Sequence, residues 1–101
     1  MMKLETQILG SLIDDEKYTR RVIPFLKEEY FSDVEDKAVF TKIRDFVEKY
    51  NSLPTKSSLL IALQDDRKVN EDVYQKCETL INGLVPSEDT SNWLVDETEK
   101  L

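Results

Sequence analysis

The sequence predicts an all-α fold, a compact bundle of about six helices. Three observations predict it. Only two glycines and three prolines interrupt the 101 residues, and apolar residues recur between them at spacings of three and four. Residues that start or stop helices fall in the gaps between these stripes. The length fits one domain, 1–101, because single domains commonly hold about 100 to 150 residues.

The first helix, about 3–13, places Leu4, Ile8, Leu9, Leu12 and Ile13 on one stripe. The second runs from about Asp15 to Ile23 with Tyr18, Val22, Phe25 and Leu26 inward, and Pro24 ends or bends it. A short turn through Lys27, Glu28, Glu29 and Tyr30 follows. Ser32-Asp33-Val34-Glu35 reads as a capping box that opens a third helix over about 33–50. There Val39, Phe40, Ile43, Phe46, Val47 and Tyr50 keep a three-four rhythm, so this helix is the expected spine. Asn51-Ser52-Leu53-Pro54 breaks it, and Thr55 can cap a fourth helix bearing Leu59, Leu60 and Leu63. Asn70 caps a fifth, with Val73, Cys77, Leu80, Ile81 and Leu84 on its stripe; Gly83 followed by Pro86 is its stop, the glycine being expected in the left-handed conformation. A sixth starts near Asp89 to Ser91, carries Trp93, Leu94, Thr98 and Leu101, and reaches the last residue uncapped, which suggests a truncated element. Gly10 interrupts the first helix at a cost of about 1 kcal/mol relative to alanine, and close packing of another helix is the preferred explanation over a ligand site.

Composition narrows the function. The hydrophobic fraction of 40% and charged fraction of 35% describe a globular chain with a well-solvated surface. Its longest apolar run, Leu59 to Leu63, is far short of the roughly 20 residues that span a membrane. The opening Met1-Met2-Lys3-Leu4-Glu5 holds no apolar signal region, and a single cysteine suits a reducing compartment, so a cytoplasmic location is expected. Fourteen basic against twenty-one acidic residues give a net charge of −7, which disfavours a direct grip on a polyanion such as DNA. Solubility alone also explains that charge.

Catalytic chemistry is largely excluded. Without histidine the chain lacks the commonest general base, zinc ligand and triad member. No G-x-x-x-x-G-K-[ST] string occurs, so no cofactor and no ATP hydrolysis are expected of this chain. The paired carboxylates Asp14-Asp15, Glu28-Glu29 and Asp65-Asp66 point about 100° apart on a helix and do not converge, so neither a catalytic nor a metal site is expected of them. Cys77, on an apolar stripe, reads as a buried inert thiol. Phe40, Phe46 and Tyr50 lie at core spacing, and Arg20-Arg21 and Lys42/Arg44 are too sparse to make them base-stacking platforms. Trp93, on a short acidic terminal helix, is read first as packed on the body and second as an interface anchor, together with Leu94 and Leu101.

The words of the sequence go further. Glu5-Thr6-Gln7-Ile8-Leu9-Gly10-Ser11-Leu12 resembles the E-x-x-[VI]-L-G-[SA]-L opening of the N-terminal domain of DnaB-type replicative helicases. Glu29-Tyr30-Phe31, with Val39-Phe40 and Ile43, is similar to that family's E-x-F turn and I-F-x-x-I helix, and Asn51 to Thr55 to the turn before its fourth helix. Asn92-Trp93-Leu94-Val95-Asp96-Glu97-Thr98-Glu99-Lys100 resembles a W-L-V-x-E-T-E-K stretch of the T-even phage branch, which Pro24 also favours, since it falls where the general bacterial pattern continues its second helix. The resemblance implies a helical tier that pairs with neighbouring subunits in a hexamer, sits over an ATPase ring, and docks primase and helicase loader. ATP and magnesium would belong to the motor domain of a longer parent, and the location would be the host cytoplasm. Two other readings stay open: a self-standing phage protein that binds or blocks a helicase, and an unrelated acidic regulator that mimics DNA.

Overall fold

The computed structural model describes residues 4–84 and 98–100. They form five α-helices and one 3-10 turn: α1 (Leu4–Leu12), α2 (Glu16–Val22), the 3-10 turn (Glu28–Tyr30), α3 (Val34–Tyr50), α4 (Lys56–Asp65) and α5 (Glu71–Gly83). No strand occurs among the described residues, so the all-α expectation holds. Most of the expected sixth helix lies outside the described residues; of 98–100, residues 98 and 99 are helical.

Three of the helices, α2, α4 and α5, start where a side chain satisfies a free amide. Asp15 accepts a hydrogen bond from the Tyr18 N–H at 3.1 Å and opens α2. The buried Thr19 hydroxyl donates to Leu12 O at 2.8 Å, tying α2 to the end of α1. Thr55 and Ser58 form a reciprocal capping box at α4, and Asn70 accepts from Val73 N–H at 2.8 Å at α5. The box expected at Ser32 and Glu35 does not form. The N-cap of α3 is Asp33, one residue later, and its side chain makes no capping bond. Gly83 is also a correction: it is the last residue of α5 and no glycine has positive φ, because Leu84 leaves the helix in an extended conformation. The left-handed stop falls instead on Asn51, at φ 53°, which ends α3. Arg20 donates to both its side-chain and backbone oxygens at 3.1 Å.

α3 packs against α1, α4, α5 and the 3-10 turn, which makes it the spine the sequence predicts. The core joins Ile8, Leu9 and Leu12 of α1, Tyr18 and Val22 of α2, and Val39, Phe40 and Ile43 of α3 to Leu59, Leu63, Cys77 and Ile81. Burying such a side chain contributes about 1.5 to 3 kcal/mol, offset by the entropy of ordering the chain. Phe31, buried and stacked on Phe40 at 4.9 Å between ring centroids, closes the core under the 3-10 turn. Two expected core residues point outward. Phe25 is 59% exposed because α2 ends at Val22, whereas Leu26 is buried as expected. Tyr50 is 56% exposed and Phe46 half-buried, the two rings contacting one another at 4.7 Å.

Candidate protein-interaction surfaces

The residues assigned from sequence to an interface, Trp93, Leu94 and Leu101, lie outside the described residues. What is described beside them is the attachment of 98–100 to the body. The Tyr18 hydroxyl and the Thr98 hydroxyl share a buried hydrogen bond of 2.8 Å. Burial pushes the Tyr18 phenol up to about 12, opposed by the Thr98 bond and aided by the nearby Asp15 charge. Glu99 approaches Arg21 at 3.9 Å on the surface. Next to this attachment a cleft of about 580 Å³ is lined by Pro24, Phe25, Lys27, Tyr30, Thr98 and Glu99. The outward Phe25 ring in its wall could not be anticipated from helical spacing.

A second and larger hollow, about 700 Å³, lies between the first turn of α3 and one flank of α5, lined by Glu35, Asp72, Gln75, Lys76, Thr79 and Leu80. Cys77 is buried nearby, its thiol donating to Glu35 O at 3.8 Å. Burial, then the Glu35 and Asp36 charges, push that thiol up to about 11, and the thiol is buried as expected. A smaller cleft is lined by Gly10, Ile13, Asp14, Pro54, Thr55, Lys56 and Leu84, and Gly10 itself is buried.

The paired carboxylates diverge as their spacing implies. Asp15 caps α2 while Asp14 is exposed, and Glu28 and Glu29 both face solvent. Asp66 accepts from Lys42 at 2.7 Å while Asp65 is exposed. The Lys42 ammonium and the Lys68 backbone N–H hold the Asp66 carboxyl below the usual carboxylate range. One acidic group escaped the sequence reading: Asp33, Glu35 and Asp36 bring carboxylate oxygens within 4.8 Å of one another. They occupy the start of α3, where the helix dipole favours negative charge. Several cations are engaged internally: Arg20 with Glu16 and Asn51, Lys42 with Asp66, and Arg44 over the Phe40 ring at 5.6 Å. No helix among the described residues is long and apolar enough to cross a membrane.

No family model matches the chain. It is 38% identical over 93 residues to the DnaB-like replicative helicase of Enterobacteria phage T4. The match covers 92% of this chain and 19% of that relative, so the chain spans about a fifth of the helicase's length. A domain-sized, all-helical chain matched over nearly its whole length is thereby related to the DnaB-type replicative DNA helicases of the T-even phage branch, as the resemblance of its motifs implied.

Proposed function

We propose that this chain is the N-terminal interaction and oligomerisation domain of a phage replicative hexameric DNA helicase, pairing with neighbouring subunits and docking primase and helicase loader. The observation that carries the reading is a contrast. The chain matches a helicase over 92% of its length, yet contains neither a phosphate-binding loop nor a histidine. What such a segment can contribute to a helicase is therefore contact with proteins, and ATP with its magnesium ion belongs to a motor domain elsewhere in the parent. Trp93, Leu94 and Leu101 are assigned as interface anchors, since aromatic residues on a sparse apolar stripe commonly carry binding energy.

The test is a titration of the fluorescently labelled chain with the phage helicase, primase and loader, each purified and added alone. Saturable binding to at least one of them, weakened by Trp93→Ala with the melting temperature little changed, is the expected result. Absence of binding to all three overturns the reading.

A further inference from the structure

We infer that the hollow between the first turn of α3 and α5 receives a basic amphipathic segment of a partner protein, whose Lys or Arg side chains pair with Glu35 and Asp72. The inference rests on the reading of the chain as a docking domain and names the chemistry of what docks. The geometry supplies an open site of about 700 Å³ with Leu80 half-buried in its wall and Gln75 and Thr79 as polar neighbours. Glu35 and Asp72 have no ion-pair partner among the described residues, so both carboxylates can meet a cation from outside the chain.

Charge selects the occupant. The cleft beside Phe25 balances Lys27 against Glu99, and the one beside Gly10 balances Lys56 against Asp14. Carboxylates outnumber cations at the α3–α5 hollow, where Glu35 and Asp72 face the lone Lys76, and at a cleft of about 200 Å³ that holds Glu71 and no cation; of the two, only the hollow, at about 700 Å³, has room for a helical segment. Asp33 and Asp36 bring carboxylate oxygens within 4.8 Å of that of Glu35. The upward push that Glu35 and Asp36 exert on the adjacent Cys77 thiol registers their negative field. A partner side chain bearing positive charge lowers its energy at this mouth, and complementary potentials of this kind fix which partner docks and how fast. The aliphatic wall at Leu80 takes one apolar side chain of the same segment, and Lys76 takes an acidic one.

The experiment follows backbone amide NMR shifts of the whole chain during titration with a synthetic helical peptide bearing Leu and Lys at helical spacing. A matched peptide with Glu in place of Lys is the control. Saturable shifts centred on Glu35, Asp72, Gln75, Lys76, Thr79 and Leu80, with the lysine peptide alone, are expected. Glu35→Gln combined with Asp72→Asn should weaken binding roughly fivefold or more, and less so at high salt, as for two exposed charge pairs. Asp14→Asn combined with Glu29→Gln removes the same charge elsewhere and should leave affinity within about twofold. Equal losses in both double variants would assign binding to net charge and overturn the inference, as would shifts centred outside the hollow. Magnesium chloride alone producing the same Glu35-dependent shifts would make this a cation site instead. Failure here, with primase or loader binding intact, removes the hollow and leaves the docking domain standing.

Discussion

The Tyr18 and Thr98 hydroxyls, eighty residues apart in sequence, meet in a buried hydrogen bond of 2.8 Å. It joins α2 to the stretch at which the described chain resumes. Tyr18→Phe keeps the buried ring and removes only the hydroxyl, so it should cost about 0.5 to 1.5 kcal/mol, the net worth of one such bond. Urea melts give the value. A loss within error of zero would mean that the bond contributes nothing to folding.

Alkaline pH should destabilise the protein through two buried acids. Tyr18 is raised from 10.0 to about 12 and Cys77 from 9.0 to about 11, both chiefly because burial disfavours their ionised forms. The stability each contributes is fully present below its unfolded value, and it is lost as pH rises through the folded one. Urea midpoints should therefore hold steady up to about pH 9 and fall between 9 and 12. Cys77→Ala should flatten the lower part of that fall, since it removes the group that titrates first.

Phe40 and Phe46 share a helix but not an environment. Phe40 is fully buried and stacked on Phe31, so Phe40→Ala should cost about 3 to 5 kcal/mol. Phe46 is half-buried and touches the exposed Tyr50, so Phe46→Ala should cost well under half as much. Equal losses in urea melts would contradict the burial described.

The difference between these two rings shows what helical spacing can and cannot reveal. A stripe identifies the face a helix turns inward, and Val39, Phe40 and Ile43 follow it. It does not say how far along the helix the neighbours extend, so Tyr50 was legible as on-stripe but not as exposed. Phe25 failed for a related reason, since its helical phase ceases to apply once α2 stops at Val22. Caps at Asp15, Thr55 and Asn70 involve residues three apart and were within reach of local pattern; only Thr55 and Asn70 were named as caps. Phe31, by contrast, reaches the core only through the turn that folds it onto Phe40. The hollow of Glu35 and Asp72 was not legible at all, because it exists only through the packing of α3 on α5.

Asn51 carries the one positive φ among the described non-glycine residues, 53°, and accepts two hydrogen bonds from Arg20. A left-handed residue with a Cβ costs roughly 1 to 2 kcal/mol, a penalty asparagine bears better than most, so Asn51→Ala should lose about that much. Asn51→Gly keeps the backbone acceptor and the conformation and should lose less. Chemical denaturation of both variants gives the order, and a more stable alanine variant would refute the left-handed cap.

The isolated chain should neither hydrolyse ATP nor bind single-stranded DNA tightly. It has no phosphate loop, and its net charge of −7 opposes approach to a polyanion. Two of its cations are moreover engaged within the chain, Lys42 by Asp66 and Arg20 by Glu16 and Asn51. The exposed Tyr50 ring does have Lys49 over it at 5.2 Å, which is the nearest approach to a base-stacking arrangement among the described residues. One lysine beside one exposed ring is too little, since single-strand binders combine a continuous basic groove with several stacked aromatics. Anisotropy of a labelled oligonucleotide at moderate salt should stay flat as the chain is added. Salt-sensitive binding at micromolar concentration or tighter would overturn this, and its loss in Tyr50→Ala together with Lys49→Ala would place the contact on that ring.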